Sequence, residues 1–365
     1  MVSVKASVLS DTNGKFSLKE VEVPPLGERY IRVNVTTATT CGTDVHIWKG
    51  ELPAPMPIIL GHEAVGRVDE APANSKDYLG KPLKHGDRVI WGFVDPCNRC
   101  YVCTIENLPS SCPNRRAYGI TAGFNDYPHL NGAYAEAIML GLNTPIFKLE
   151  NDIDDEIVSP VSCALSSVIK GISVLNPRLI DRALVIGAGP LGIYACAYLS
   201  ELGVSKIVSA DLVDERLKMA SQFGADFTIN MKEHQSVESI KRELQRLLGD
   251  EGPTMVVEVA GDTRAVDLGI EVLSRGGRIA TVGAVVKGEV RYDSLMFIRR
   301  QISLRGSLAY EPRHMLEGIR FIEQTVDKYP YRKLIGGTYT LADLERVLNE
   351  MREKRIIKGA IMVTR

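Results

Sequence analysis

Leu184-Val185-Ile186-Gly187-Ala188-Gly189-Pro190-Leu191-Gly192 is the stretch that decides the fold. A short apolar run of strand length enters a glycine-rich turn, and an apolar helical pattern then continues to Leu202 before Gly203. Each glycine has its own task. Gly187 makes the tight turn, Gly189 lets the backbone come close to an anion, and Gly192 lets helix pack closely on strand. Amides at the start of the helix then hold a phosphate. Glycines also occur at strand-to-helix turns that bind nothing, so the surroundings have to decide. A second apolar strand, Ile207 to Ala210, ends in Asp211, roughly twenty residues downstream, where a carboxylate accepts hydrogen bonds from a ribose diol. Gly187, Gly189, Pro190, Leu191, Gly192 and Asp211 are therefore the expected dinucleotide contacts. The acid favours NAD over NADP by repelling a 2′-phosphate, and Arg216 works against that preference. The other reading of Asp211 is a turn acid at the start of the next helix.

Outward from this turn, beginning near residue 157, strand-length apolar runs alternate with amphipathic stretches. The runs are Ala183 to Ile186, Lys206 to Ala210, Met255 to Val259 and Arg278 to Val282. Val237, Ile240, Leu244 and Leu247 share one helical face. Strict alternation implies a parallel sheet covered on both sides. The first 150 residues differ: short alternating runs such as Tyr30 to Val35 and Arg88 to Val94 lie among Gly and Pro, the texture of a strand-rich domain with irregular loops. Val2, Val4, Ala6 and Val8 predict an alternating strand rather than a secretory leader, so a cytoplasmic chain is expected. Near the other end, Thr340 and Asp343 form a capping-box pattern, followed by Leu344, Val347, Leu348 and Met351 on one face and a closing strand, Gly359 to Val363.

The 365 residues favour two domains at about 100 to 200 residues each. Lys plus Arg is 44 and Asp plus Glu is 45, so no net field attracts nucleic acid or an anionic membrane, and neither is an expected partner. The uncharged stretch Ala183 to Ser200 is interrupted by Gly187, Gly189, Pro190 and Gly192 and does not read as a membrane span. Seven cysteines are too few and too clustered for a disulfide framework. Cys97, Cys100, Cys103 and Cys112 offer four thiolates on one compact loop, which suits a closed tetrahedral zinc site that staples the loop.

Cys41-Gly42-Thr43-Asp44-Val45-His46, Gly61-His62-Glu63-Ala64-Val65-Gly66, Gly86-Asp87-Arg88-Val89, the four-cysteine loop and the Gly187 turn follow one another along the chain. In these motifs and their order the whole chain resembles the zinc-dependent alcohol dehydrogenases of the medium-chain dehydrogenase/reductase family. The resemblance implies an α/β fold. A strand-rich GroES-like catalytic domain would span 1–157 and 306–365, with the zinc lobe at about 95–116. A Rossmann coenzyme domain with a doubly wound parallel sheet would span 158–305.

The resemblance further implies that Cys41, His62 and Cys163 ligate a catalytic zinc with a fourth position open to water or substrate. Glu63 then matches a carboxylate that can exchange onto the metal. Taken singly, His62 reads as a structural histidine and Cys163 as a core thiol. Asp44 matches the acid that orients the ligand histidine. Thr43 and His46 match a proton relay running from alcohol by way of the cofactor ribose to solvent. Lys358 matches a basic residue that reaches the cofactor pyrophosphate, although a solvated basic helix end with Lys354 and Arg355 describes it equally well. The implied cofactors are NAD and two zinc ions per chain, one catalytic and one structural. The implied reaction is reversible hydride transfer between a small-molecule alcohol or carbonyl and NAD.

Trp48, Leu52, Trp91 and Phe93 lie near the ligand segments, as pocket walls or as ordinary core. The gap from Cys103 to Cys112 is one residue longer than the commonest family pattern, so the loop is expected to bulge. Polyol-type relatives carry Glu-Pro where this chain has Ser159-Pro160, which favours the simple-alcohol type. A polyol, sugar or amino-alcohol dehydrogenase is the second reading. A third is a zinc-stapled binding module gripping a partner through Arg99, Arg115, Arg116, Tyr101 and Tyr118, and it leaves Cys41, His62 and Cys163 unexplained. The resemblance also implies a homodimer or homotetramer, with Arg299 to Leu308 as the edge segment, where Ile302, Leu304 and Leu308 alternate with polar neighbours.

Overall fold

In the computed structural model, which describes residues 2–234, 236–284 and 288–364, the glycine turn joins strand Arg182–Ile186 to helix Pro190–Glu201. Among the described residues six parallel strands form the sheet to which this turn belongs, in the spatial order Phe227–Asn230, Lys206–Asp211, Arg182–Ile186, Met255–Glu258, Arg278–Thr281 and Ser303–Gly306. Numbered along the chain this is the Rossmann order 3-2-1-4-5-6. The order reverses between Arg182–Ile186 and Met255–Glu258, so the turn opens at the switch point. Helix Val237–Leu248 covers part of the sheet with Ile240, Leu244, Leu247 and Leu248, and Ser236 caps it by accepting from Ser239 N at 3.2 Å. Ile302 is 7% exposed and packs into this core, whereas Leu304 and Leu308, at 38% and 55%, are exposed like their polar neighbours. Strand Ser303–Gly306 is exposed throughout.

The chain divides into two compact units. One comprises Met1–Cys163, Glu311–Val326 and Tyr331–Arg365, the other Ala164–Tyr310 and Asp327–Pro330. The junctions after Cys163 and after Tyr310 fall later than residues 157 and 305, for reasons visible in the bonding, and Asp327–Pro330 group with the second unit rather than with the expected 306–365 segment. Asp155 accepts from Thr36 Oγ1 and Arg88, and Ser162 Oγ accepts from Ala64 N at 3.2 Å, which holds 155–163 to the first unit. Ser307 N donates to Thr281 O at 3.0 Å and Lys170 Nζ to Leu308 O at 2.9 Å, which holds 307–310 to the second.

In the first, GroES-like unit the hub is strand Tyr30–Thr39. It pairs antiparallel with Ala64–Glu70, with Ala137–Gly141 and with the last strand of the chain, Lys358–Met362. Burial alternates along it until Thr37, beyond which every residue is buried. The N-terminal strand Ser3–Leu9 departs from the expected alternation, since Ala6 to Leu9 are all buried. It lies between Phe16–Glu22 and Ile58–Ile59 and packs into the main core. Thr340 N and Oγ1 both donate to Asp343 Oδ2, at 2.9 and 2.8 Å, starting a short 3-10 turn and then helix Leu344–Arg352, which buries Leu344, Val347 and Leu348. Among the described residues no helix is long and apolar enough to cross a membrane.

Candidate active site and metal centres

The end of the hub strand runs through Thr39 and Thr40 to Cys41, the N-cap of helix Gly42–Trp48. Register does the assembly. Ala38 pairs with Ala64 and Thr39 N donates to Glu63 O at 2.9 Å, which puts Cys41 beside His62-Glu63. The 3-10 turn Ser159–Ser162, tethered through Ser162 Oγ to Ala64 N, delivers Cys163 to the same place. Ligand atoms of Cys41, His62, Glu63 and Cys163 all lie within 4.8 Å of one another. Asp44 Oδ2 accepts from Cys41 N at 2.9 Å and from Tyr134 Oη at 2.8 Å, and its Oδ1 stands 3.3 Å from His62 Nδ1.

The chemistry of this donor set fits zinc. His62 Nε2 and Glu63 Oε1 are buried without a hydrogen-bond partner among the described residues, a costly state unless something binds there. A hydrogen bond from the Cys163 thiol, aided by His62, holds the Cys41 thiol well below its ordinary range despite burial. The same contact, with burial, pushes Cys163 up. Two thiols and an imidazole are three protein ligands of the kind a catalytic zinc uses, with a fourth place left for water or substrate.

One carboxylate oxygen of Glu63 has other partners. Its Oε2 accepts from Thr39 Oγ1 at 2.7 Å and from Lys358 Nζ, and burial raises the carboxyl to about 7. Lys358 therefore differs from the expectation of a pyrophosphate contact. Its side chain is 1% exposed, and its ammonium is shared between Glu63 and the Thr40 carbonyl at 2.8 Å. Thr43 Oγ1 lies 3.8 Å from Cys41 Sγ, and His46 is partly exposed on the same short helix. Phe93 meets His62 edge-on at 5.5 Å between centroids. Trp48 and Trp91 belong to the hydrophobic core, with Leu52 packed against it.

In the lobe, helix Tyr101–Thr104 follows Cys100 and carries Cys103, and the 3-10 turn Pro109–Ser111 delivers Cys112. Cys100 and Cys103 sulfurs are 3.5 Å apart, Cys97 and Cys112 3.5 Å, and Cys100 and Cys112 3.8 Å. Four sulfurs at about 2.3 Å around a tetrahedral zinc lie about 3.8 Å apart, so the cluster matches such a site. The long gap leaves the fourth sulfur in place, and Asn107 within it stands at φ +55°. Tyr118 is buried, Arg116 is bonded to Tyr127 O and Asn131 Oδ1, and Arg115 to Cys112 O. Arg99 and Tyr101, by contrast, are exposed.

At the glycine turn a Cβ on Gly192 would lie 1.8 Å from Gly187 O, and one on Gly187, at φ +103°, 2.9 Å from Ala260 N. Gly189 alone of the three faces open space, with Arg216 Nη1 its nearest neighbour at 3.9 Å. Pro190 and Leu191 are half-buried beside it. Asp211 Oδ2 accepts from Ala188 N at 2.6 Å and Oδ1 from Leu212 N and Val213 N at 2.7 and 3.0 Å, which fixes the carboxylate against the turn. Glu258 is a residue that sequence reasoning passed over. It is 0% exposed, its Oε1 accepts from Ala260 N and Gly261 N at 2.8 Å each, and burial pushes it up to about 7. A lone carboxylate in the apolar run Met255 to Val259 was its signal.

Residues 27–150 match the alcohol dehydrogenase GroES-like domain, and residues 190–324 match the zinc-binding dehydrogenase family. The chain belongs to the zinc-type medium-chain dehydrogenase/reductases, among the alcohol and polyol dehydrogenases, and is a dehydrogenase. It is 29% identical over 337 residues to the 5-exo-hydroxycamphor dehydrogenase of Pseudomonas putida, covering 90% of each chain. It is 26% identical to an alcohol dehydrogenase of Geobacillus stearothermophilus over 99% of this chain and 98% of the other. The crystal structure of an alcohol dehydrogenase from Thermotoga maritima, 29% identical, superposes with a TM-score of 0.94 over 100% of both chains.

Proposed function

We propose that the chain is an NAD-linked zinc alcohol dehydrogenase that oxidises a simple alcohol to an aldehyde or ketone and runs in reverse. The observation that carries this reading is the largely buried cluster of Cys41, His62 and Cys163, with Glu63 in the same cluster and its Oε2 bonded to Lys358. When bound, zinc supplies Lewis-acid polarisation of the substrate oxygen and NAD supplies the hydride acceptor. The protein does the rest. Asp44 keeps His62 Nε2 directed at the metal position, Thr43 takes the alcohol proton, and His46 hands it on towards solvent. NAD rather than NADP is supported by Asp211 beside the glycine turn, and a second, structural zinc by the geometry of the four-cysteine lobe.

A simple alcohol is favoured over a polyol by Ser159, which is buried and shares a 3.0 Å hydrogen bond with Thr39 where polyol-type relatives carry a carboxylate. Self-association through the exposed edge strand Ser303–Gly306, flanked by Ile298 and Leu308 at 68% and 55% exposure, fits a homodimer or homotetramer. The test is zinc quantification on wild type and Cys163→Ala, with NADH and NADPH formation across primary, secondary and polyhydric alcohols. Two zincs in wild type, one in the variant, and NAD-linked turnover of simple alcohols lost with that zinc is the expected outcome. One zinc in wild type and no turnover would overturn the reading, and turnover confined to polyols would favour the second.

A further inference from the structure

Helix Gly42–Trp48 ends in a turn with a definite geometry. Gly50, at φ +71°, donates to Ile47 O at 2.9 Å and Glu51 N donates to His46 O at 2.8 Å, the paired 5→2 and 6→1 bonds of a Schellman motif. That motif returns the chain over the last helical turn and sets Glu51 beside His46 by backbone bonding alone. The side chains complete the contact, with His46 Nδ1 at 2.5 Å from Glu51 Oε2. The turn is braced from the loop after the first strand. Trp48 Nε1 donates to Gly14 O at 2.9 Å, Asn13 N donates to Trp48 O, and Lys49 Nζ sits 3.8 Å over the Trp48 ring. Glu51 is thus held on a rigid corner, while its side chain, 51% exposed, contributes little to the core.

A carboxylate only accepts, so the ring nitrogen facing it must carry the proton. In a neutral imidazole the other nitrogen, Nε2, is then the acceptor. We infer that Glu51 is a positioning residue for His46, holding the imidazole with its proton on Nδ1 so that Nε2 is free to receive the proton leaving the alcohol. The proton adds to Nε2, the ring becomes an imidazolium beside the Glu51 carboxylate, and the same Nε2 proton then passes to water, regenerating the starting tautomer. No electrons move in these steps. The inference rests on the reading of His46 as the end of a proton relay, and its test separates the two.

Ring-15N-histidine labelling reports which nitrogen of each of the six histidines carries a proton, in the protein without substrate or coenzyme. His46→Gln assigns the His46 signals. In wild type His46 is expected as the Nδ1–H tautomer. Glu51→Ala is expected to shift it to the Nε2–H form or a mixture and to slow the first turnover with alcohol on the order of tenfold at nearly unchanged KM. Glu51→Gln, whose amide oxygen still accepts from Nδ1, is expected to restore the ring signals. An unchanged His46 spectrum in Glu51→Ala overturns the positioning role, as does a shifted spectrum with unchanged turnover. Wild-type turnover in His46→Gln overturns the relay instead, whatever the spectra of the Glu51 variants show.

Discussion

Lys358 Nζ bonds Glu63 Oε2 across 295 positions of sequence, with the two side chains 1% and 0% exposed. The last strand of the chain is thereby pinned to the residue that follows His62. A buried pair of this kind gains little over an apolar one, but losing one partner strands a charge at a cost of about 3–5 kcal/mol. Lys358→Met is expected to lower the free energy of unfolding by about that amount in denaturant titration. Glu63→Gln combined with Lys358→Met should recover most of the loss. A double variant no more stable than Lys358→Met would show that the pair acts through its shape and not its charge.

Asp44 faces both Cys41 and His62, which lets it alter the metal cluster without touching the metal position. In Asp44→Asn an amide replaces an acceptor-only carboxylate, so His62 loses its preferred partner at Nδ1. Zinc affinity at this cluster should fall about 10–100-fold in chelator competition. Zinc held by the lobe should be unaffected, which provides an internal control.

The sequence made legible whatever is local. The Gly187 turn, its strand and its helix declare themselves within a few residues, and Cys97, Cys100, Cys103 and Cys112 are near neighbours along the chain. Cys41, His62 and Cys163 needed a family pattern, because only the strand register of Ala38 with Ala64 and the tether from Ser162 to Ala64 bring them together. The sequence reads Lys358 as a pyrophosphate contact or a solvated basic helix end, and its burial against Glu63 is not legible there for the same reason, since the partner lies 295 positions away. Burial on both faces overrides the sequence alternation of the first strand, and exposure of Leu304 along with its polar neighbours overrides that of the edge. Contacts of this kind follow from tertiary assembly, and no local periodicity encodes them.

The lobe brings four sulfurs together, and if they hold the proposed structural zinc, removing one should open a site whose binding energy is also folding energy. Cys112→Ser is expected to reduce zinc from two per chain to one and to lower the thermal midpoint on the order of 5–10 °C. The zinc that remains should be the one that Cys163→Ala removes. Loss of both zincs would mean that the lobe is needed to form the Cys41 cluster.

Asp211 closes the glycine turn on Ala188 and is also the group argued to discriminate coenzymes. Replacing it with serine keeps an acceptor near Ala188 N while removing the negative charge that repels a 2′-phosphate. The ratio of kcat/KM for NAD to that for NADP should fall about tenfold or more in Asp211→Ser, with Arg216 left to attract the phosphate. A ratio that stays constant while both values drop would assign Asp211 to the turn alone.

Glu258 sets a pH dependence of stability whose sign follows from its burial. Its carboxyl is raised from an ordinary 4.5 to about 7 in the folded chain. Between those values the folded state binds more protons than the unfolded one, so stability falls as pH rises through the window. By pH 8 the full penalty, about 3 kcal/mol, is in force. Glu258→Gln retains an acceptor for Ala260 N and Gly261 N and does not titrate. Urea unfolding at pH 4.5, 6, 7 and 8 should therefore show the variant gaining on wild type as pH rises and levelling off above pH 7. A difference that does not change with pH would mean that the buried carboxylate is stabilised in its charged form by the amides it accepts from, in spite of its removal from water.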